Sequence, residues 1–168
     1  MQLHFRKMAS SGGQISLHES LDVSALVNNR KDITAISPLV ADLSAISHTE
    51  GVIDVQGSLK AELDMLCSRC LKPMHEHLNI EFQEQFKQSA NSDEDQEDDA
   101  ILVEGESFDL APYCEESFLM HVPFVPLCDE DCKGLCPTCG HDLNEGDCGC
   151  DNQVIDPRLA GLKDFFNK

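Results

Sequence analysis

The sequence has few basic residues. It contains only 12 lysines and arginines but 31 aspartates and glutamates, which gives a formal net charge of −19 at neutral pH. A chain of this charge repels phosphate over long distances, which excludes proteins that coat nucleic acids through a basic surface. A charge of −13 remains after the six acids between Asp93 and Asp99 are set aside. Basic proteins are therefore the favoured partners, and any contact with RNA must be local and oriented.

Long apolar runs are also absent from the sequence. No stretch approaches the roughly 20 apolar residues that a membrane-spanning helix needs, so we expect no membrane partner. Residues 1–13 lack the apolar stretch of about 7–15 residues found in signal peptides, so we expect the protein to stay in the cytoplasm. The sequence has no internal repeat, no glycine-rich phosphate loop and no Ser, His and Asp set at a recognised spacing. We therefore expect neither an enzyme nor a small-molecule substrate.

Cysteine, in contrast, is abundant. Six of the nine cysteines lie within 23 residues, from Cys128 to Cys150, among prolines and glycines and with too few apolar side chains to build a core. In a reducing cytosol such a set favours metal binding over disulfides. A disulfide framework in a secreted protein is the alternative, but the odd number of cysteines and the missing signal peptide argue against it.

The clearest metal-binding pattern lies near the end of this stretch. Cys136 and Cys139 form a CxxC pair, and Gly140 allows the backbone to turn its amides towards the sulfurs. Cys148 and Cys150 return after an eight-residue loop and complete a set of four ligands. Four thiolates in a tetrahedron are typical of structural zinc sites.

A second predicted site joins distant parts of the chain. Cys67 and Cys70 form another CxxC pair, and 57 residues separate it from Cys128 and Cys132, which have no other partner pair. We therefore expect one or two structural Zn²⁺ ions, and the second would connect the two halves of the chain. Three histidines stay open as substitute ligands, namely His75, His77 and His141.

Alternating polarity predicts a β-hairpin around the first CxxC pair. In residues 53–65 the odd positions are apolar or glycine and the even positions polar, as in a half-buried strand with Gly57 as a bend or bulge. Apolar residues alternate again over 78–86, so the CxxC pair lies at the tip of a hairpin. A thioredoxin-like CxxC lies between a strand and a helix, so this pattern argues against a thiol redox enzyme.

Other segments give weaker patterns. Residues 1–8 predict a short strand, and residues 19–27 predict a short helix. Residues 37–47 fit either a strand or a helix, and we favour the strand because of the alternation that follows it. The acidic segment 89–100 predicts a disordered loop or a hook for a basic partner, and we expect that it can be deleted without loss of folding.

Two helices are predicted in the second half of the chain. Asp109 is suited to cap a helix that ends before Pro123. Its apolar positions follow three-four spacing and are Leu110, Tyr113, Cys114, Phe118 and His121 or Val122. Because Cys114 lies on this stripe, we interpret it as a small buried hydrophobe. A terminal helix is predicted after Asp156, with one apolar face formed by Leu159, Leu162, Phe165 and Phe166.

Together these patterns predict an α+β fold, with an antiparallel β-sheet, a packing helix and a zinc-knuckle C-terminal segment. Residues 1–127 would form the core domain, with the acidic loop 89–100 inserted in it. Residues 128–168 would form the cysteine-rich segment and the terminal helix, and would pack on the core.

The order of these motifs resembles the YceD family, described as large ribosomal RNA subunit accumulation proteins. The resemblance covers the chain from about residue 51 to the C-terminus, and the matching residues are Cys67, Arg69, Cys70 and Leu71, 122–128, 132–140, Leu143, Asn144, Cys148, Cys150 and 156–162. It implies a role in the synthesis, processing or stability of 23S ribosomal RNA during large-subunit assembly, without catalytic activity. Some relatives lack most of the cysteines, so the resemblance implies that zinc acts as a scaffold.

A candidate contact surface lies at the first CxxC pair. Arg69 and Lys72 flank this pair and Lys133 lies in the cysteine-rich stretch, so a shared metal would bring the three cations together, with His75 and His77 beside them. Such a basic tip could touch an rRNA precursor in one orientation, because the acidic remainder repels phosphate over a Debye length of about 8 Å. The alternative is that these cations only offset thiolate charge. In that case the protein would be an acidic adaptor for a basic ribosomal protein or a processing enzyme, without RNA contact.

Overall fold

A six-stranded sheet forms the body of the structure, a computed structural model that describes residues 1–10, 13–48, 51–89 and 100–151. Within these residues the elements are, in chain order, β1 (Gln2–His4), α1 (Phe5–Ser10), β2 (Gln14–Leu21), α2 (Ser24–Val27), β3 (Ile33–Ile36), β4 (Leu39–Ser47), β5 (Val52–Leu66), β6 (Pro73–Gln88), β7 (Ile101–Val103), β8 (Ser107–Asp109) and α3 (Ala111–His121). The chain is α+β, as the sequence predicts.

The long hairpin β5–β6 is the centre of the sheet. Its strands pair without interruption from Val52 opposite Lys87 to Leu66 opposite Pro73. On the other side of β5, β4 pairs along the first part of the strand and β3 pairs near its far end. β2 extends the sheet beyond β4, and β7 pairs with β6 in parallel, so the sheet is mixed rather than purely antiparallel. The hairpin turn therefore projects at the end of the sheet that β3 borders.

Alternation along β5 produces one buried face, as predicted. Its buried residues are Ile53, Val55, Leu59, Ala61, Leu63 and Met65. Helix α3 packs against β6 and contributes Phe118, which is fully buried, to the same core. Phe86 stacks on Phe108 of β8, with ring centroids 4.5 Å apart, and meets Tyr113 of α3 edge to face. This aromatic group fixes the helix over the sheet and so sets where the chain after α3 emerges.

Gly57 is not the bulge that the sequence suggested. The register of β5 with both neighbours runs unbroken through this residue, which lies opposite Leu43 of β4 and Phe82 of β6. A Cβ atom there would lie 2.1 Å from the carbonyl oxygen of Asp42. Glycine is required because the β4 backbone approaches too closely for any side chain.

The N-terminal predictions were partly wrong. Only Gln2–His4 is a strand, because β8 offers a partner for three residues. The chain then turns into α1, which buries Phe5 and Met8 in the core. The helix predicted over 19–27 is reduced to Ser24–Val27, since residues 19–21 belong to β2 and pair with the edge of β4. Tertiary pairing overrides the local pattern in both cases.

The predictions for residues 37–47 and for the helix after Asp109 agree with the structure. Residues 37–47 contain β4, so the strand interpretation is confirmed. Helix α3 begins after Asp109, whose carboxylate accepts a hydrogen bond from the backbone N–H of Ala111 (3.1 Å), and it ends before Pro123. Cys114 is fully buried on the predicted stripe, and burial is the main cause that raises the pKa of its thiol to about 12. It is a core residue rather than a ligand.

Some predictions fall outside the described part of the chain. The terminal helix lies beyond residue 151, and residues 90–99 of the acidic segment are likewise outside it. The division into domains at residue 127 stays a prediction. Among the helices of the described residues, none combines the length and the apolar character that crossing a bilayer requires.

The pairing of β7 revises the expectation for residues 89–100. Ile101 lies opposite Phe86, two residues before the end of β6 at Gln88. The Cα atoms of Gln88 and Ile101 are therefore about 8 Å apart, from a rise of about 3.3 Å per residue and a strand spacing of about 4.8 Å. A single peptide unit spans about 3.8 Å, so the two residues cannot be joined directly.

We predict that deleting residues 89–100 detaches β7, whereas replacing them with a Gly/Ser segment of equal length preserves it. Detachment exposes Val103, which is 8% exposed in the fold. The cost should be about 1.5–3 kcal/mol, the value of burying one such side chain. Chemical denaturation of the two variants measures the difference. Equal stability of the deletion variant and the replacement variant would contradict the prediction.

Candidate metal centres

The first group of thiols forms where the β5–β6 turn meets the chain that follows α3. Cys67 and Cys70 come from the turn, and Cys128 and Cys132 come from the later segment. The Sγ atoms of Cys67 and Cys132 are 3.8 Å apart, and those of Cys70 and Cys128 are 3.6 Å apart. All four ligand atoms lie within 4.8 Å of one another. The structure thus brings together the two distant cysteine pairs that were predicted to share a site.

These distances fit a shared metal ion better than disulfide bonds. A tetrahedral zinc ion with Zn–S bonds of about 2.3 Å holds its sulfur atoms about 3.8 Å apart. A disulfide brings two sulfurs to about 2.05 Å. The measured separations match the edges of the tetrahedron, so the four side chains could accept zinc with small adjustments.

The backbone of the turn shapes the first half of this group. The N–H of Leu71 donates to the carbonyl of Cys67, and the N–H of Cys67 donates to the carbonyl of Lys72, each over 2.9 Å. Leu71 takes a positive φ of 59°, which closes the turn. The N–H of Arg69 points at Sγ of Cys67 (3.5 Å). This is the local geometry of a zinc knuckle, in which amides stabilise the thiolate.

Hydrogen bonds hold the later segment against the turn. The N–H of Ser68 donates to the carbonyl of Pro126 (2.8 Å). The guanidinium of Arg69 donates to the carbonyls of Glu130 (3.1 Å) and Cys132 (2.7 Å). At Gly134 a Cβ atom would lie 3.0 Å from the carbonyl oxygen of Arg69, and φ is +76°. We call this region, residues 67–72 and 126–150, the thiol corner.

The second group is local in sequence. Its members are Cys136, Cys139, Cys148 and Cys150, and their ligand atoms also lie within 4.8 Å of one another. The N–H of Gly140 donates to the carbonyl of Cys136 (2.8 Å), and Gly140 has the positive φ that the sequence predicted. Only Cys136 is buried; the other three thiols are half-buried or exposed. The thiol corner therefore contains two groups of four, each of which could hold a metal ion.

Asn144 connects the two groups, a role that the cysteine spacing did not reveal. Its Nδ2 donates to Sγ of Cys132 (3.4 Å), and its Oδ1 accepts from the N–H of Lys133 (2.8 Å). Asp142 in turn accepts from the N–H of Asn144 (2.9 Å). In the sequence, only the family resemblance pointed to Asn144, because Leu143 and Asn144 are among its matching residues. The loop of the second group thus supports a ligand of the first.

The thiols within each group do not ionise equally. Burial disfavours the thiolate of Cys67, but backbone N–H donors and the Cys70 thiol outweigh burial and lower its pKa to about 6. Hydrogen bonds with the other thiols raise the pKa of Cys128 to about 12. In the second group backbone donors lower the pKa of Cys136 to about 6, while hydrogen bonds with neighbouring thiols raise that of Cys150 to about 12. A divalent cation would remove the repulsion that suppresses the remaining thiolates.

The three cations predicted to form a basic tip lie at the thiol corner but differ in their contacts. Lys72 pairs with Asp142 (2.6 Å) and Glu145 (3.2 Å), and these carboxylates raise its pKa. Arg69 is directed at backbone carbonyls, as described above. Lys133 has an exposed side chain. Two of the three cations therefore also support the fold, through carboxylates and carbonyls rather than through the thiolates that the alternative named.

The histidine and redox alternatives gain no support from the arrangement. His141 is exposed and is not a member of either thiol group. His75 and His77 lie on β6, where they form a separate group with Glu62. The pair Cys67 and Cys70 has antiparallel strands on both sides, unlike the strand and helix that flank a thioredoxin-like CxxC.

Residues 55–166 match the family whose description is "Large ribosomal RNA subunit accumulation protein YceD". An uncharacterized protein of Mycobacterium tuberculosis is 33% identical over 160 residues, 92% of this chain and 75% of its own length. The uncharacterized protein YlbN of Bacillus subtilis is 31% identical over 155 residues, 89% of this chain and 87% of its own. No solved structure matches the chain. The matched range includes both thiol groups and most of the central hairpin.

We predict that protein purified without chelators carries two zinc ions, and that removing them unfolds residues 128–151 before the sheet. Structural zinc contributes roughly 10–16 kcal/mol in small sites, as much as the stability of many domains. Among residues 124–151 the structure has no named helix or strand, only an isolated bridge between Leu135 and Asp142. Hydrogen exchange followed by mass spectrometry, with and without chelator, measures the order of unfolding.

The zinc content of matched variants supplies the control. Replacing Cys67 and Cys132 with serine should leave one zinc ion, whereas Cys114→Ala should leave two. A chelated protein whose residues 128–151 stay as protected as β5 would contradict the prediction.

We predict that Gly134→Ala weakens the thiol corner. The new side chain meets the Arg69 carbonyl and must adopt a positive φ, so the cost should be about 2–3 kcal/mol. Gly105→Ala is the control, because Gly105 has φ +94° with no atom within 4 Å of its Cβ position, and should cost about 1–2 kcal/mol. Denaturation midpoints and zinc content measure both effects. An equal loss in the two variants would show that the contact with Arg69 is unimportant.

Proposed function

The chain belongs to the YceD family of large ribosomal RNA subunit accumulation proteins, and we propose that it is an accessory factor for assembly of the large ribosomal subunit. Its task would be to support the synthesis, processing or stability of 23S rRNA. The family match over residues 55–166 is the observation that carries this proposal. We further propose that the protein acts in the cytoplasm, with a large-subunit rRNA precursor, a basic ribosomal protein or both as partners.

In this proposal zinc is structural and the protein catalyses no reaction. Four thiolates per ion leave no open coordination position for substrate or water, which is typical of structural zinc sites. The ions would hold the β5–β6 turn and residues 126–150 in one rigid corner. The contact surface would then be preorganised before a partner binds, which reduces the entropy lost on association.

Direct RNA contact would use the cations of the thiol corner. Lys133 is the best placed, because its side chain is exposed while its backbone N–H is fixed by Asn144. The guanidinium of Arg69 lies at the same corner and donates to the backbone carbonyls of Glu130 and Cys132, which have no net charge to offset its own. The net charge of −19 would restrict RNA to this corner, since the rest of the surface repels phosphate.

An acidic adaptor without RNA contact is the second candidate. The ion pairs of Lys72 with Asp142 and Glu145 favour the adaptor, because this cation is then paired within the fold and is less available to RNA. A surface this acidic also attracts basic ribosomal proteins and speeds their association. In both candidates the protein acts on the same assembly process, but the molecule it touches differs.

We predict that the protein sediments with large-subunit precursors when a gentle lysate is fractionated on a sucrose gradient. Cells that lack the protein should contain less 23S rRNA relative to 16S rRNA, because the proposed role supports the large-subunit RNA alone. A protein found only at the top of the gradient, with an unchanged ratio of the two RNAs, would contradict the proposed function.

The variant Lys133→Glu separates the two candidates. It reverses an exposed charge without removing the Arg69 bonds to Glu130 and Cys132, which Arg69→Glu would break. Lys60→Glu is the control, since Lys60 is exposed in the middle of β5, away from the thiol corner. If RNA contact is direct, cross-linking of RNA to the Lys133→Glu protein should fall several-fold while its zinc content is retained. If the protein is an adaptor, both variants should sediment like the unaltered protein.

A further inference from the structure

A second kind of ligand set lies on the exposed face of the central hairpin, outside the thiol corner. Glu62 and Asp64 on β5 lie directly opposite His77 and His75 on β6. Residues two apart on a strand point to the same side of a sheet, so all four side chains share one face. All four are exposed. The register of the hairpin thus builds a square of two imidazoles and two carboxylates.

Three of these side chains are close enough to share an ion. One donor atom each from Glu62, His75 and His77 lies within 4.8 Å of the other two. Nδ1 of His77 is 3.5 Å from Oε1 of Glu62, and Nε2 of His75 is 4.0 Å from Oε2 of the same residue. Ligands about 2.1 Å from a tetrahedral ion are about 3.4 Å apart, so closing the site requires a shift of about 1 Å in exposed side chains.

Asp64 orients His75 for this role. Its Oδ1 is 2.7 Å from Nδ1 of His75, which leaves Nε2 of the ring on the side of Glu62. A carboxylate bound to one ring nitrogen while the other faces the ion is the usual arrangement around metal-binding histidines. The rings of His75 and His77 lie 4.5 Å apart, edge to face, so both can turn towards one point.

We propose that Glu62, His75 and His77 form a third metal site, which binds a divalent transition-metal ion such as Zn²⁺ or Ni²⁺, with Asp64 as a positioning residue. Imidazole and carboxylate ligands suit these ions, whereas the thiol groups select zinc more strongly. Three protein ligands leave at least one coordination position to water, so the ion would be exchangeable. The site differs from the thiol groups in donor type, in exposure and in position, and it does not depend on the proposed role in ribosome assembly.

The alternative is that the square consists only of ion pairs between histidines and carboxylates. Exposed pairs of this kind contribute little to stability. Pairs with a single histidine occur elsewhere in the described residues: one joins His48 to Asp54 of β5, and one joins two neighbouring strands, between His18 of β2 and Asp42 of β4. That pair has one histidine and provides a natural control, since it resembles half of the proposed site.

Titration of Ni²⁺ into untagged protein that carries zinc only in its two thiol groups tests the proposal. Calorimetry should show one Ni²⁺ bound per chain in addition to zinc. The affinity should fall at least tenfold in the His75→Asn/His77→Asn variant and in Glu62→Gln, whereas His18→Asn should bind Ni²⁺ like the unaltered protein. Because Ni²⁺ is paramagnetic, the NMR signals of the His75 and His77 rings should broaden before those of His18.

Zinc content and thermal unfolding of each variant verify that the fold is intact, and Glu62→Gln serves as the second variant if the double replacement does not fold. Unchanged Ni²⁺ affinity in the folded variants would overturn the proposal. So would the absence of any bound Ni²⁺ beyond displaced zinc, or ring signals of His18 that broaden as early as those of His75 and His77. The square would then be a set of ion pairs only.

Discussion

Four sulfur atoms that come from two distant segments determine how the two parts of the described chain meet. The β5–β6 turn supplies two of them, and the segment after α3 supplies the other two. The buried apolar group at this junction is small and consists mainly of cysteines, with Met74, Leu127 and Leu135 at its margin. Hydrophobic packing alone would hold such a junction weakly, so the hydrogen bonds of Ser68 and Arg69 contribute to the attachment, and a cation held by the four thiols would strengthen it.

The negative charge of the protein opposes this attachment, because the thiolates add further negative charge at the junction. Two groups of four thiolates would each carry about −2 even with zinc bound, on a chain that already carries −19. Two of the few cations at the thiol corner contact groups of the corner itself. Lys72 pairs with two carboxylates, and Arg69 donates to two backbone carbonyls. The positive charge that stays exposed to a partner is therefore small and is centred on Lys133. In the proposed function this exposed positive charge, rather than the total charge, would decide between RNA and a basic protein as the partner.

Much of this arrangement could be predicted from local patterns. The alternation over residues 53–65 identifies β5, and counting cysteine pairs identifies both thiol groups, because each CxxC leaves two ligand positions to fill. The resemblance of the motifs to one family is confirmed by the match over residues 55–166. These features share one property: the signal lies within a short stretch or in a spacing that chemistry restricts.

What the sequence did not reveal depends on partners far away in the chain. The strand at the N-terminus stops at His4 because β8, about 100 residues later, is short. The need for glycine at residue 57 comes from the β4 backbone, and the role of Asn144 comes from a sulfur atom twelve residues earlier. The square of His75, His77, Glu62 and Asp64 requires the register of β5 against β6, which alternation alone leaves undetermined.

The contrast between a local and a long-range thiol group has a consequence for the order in which the two groups could bind metal ions. Closing the loop from Cys70 to Cys128 spans 58 residues, whereas Cys139 and Cys148 are nine residues apart. The difference in chain entropy between these closures is about 1–2 kcal/mol and favours the local group while the chain is unfolded. In the unfolded chain the local group could therefore hold an ion first. The long-range group would need the sheet and α3 to bring its halves together, so an ion there would report that the hairpin turn and the segment after α3 have met.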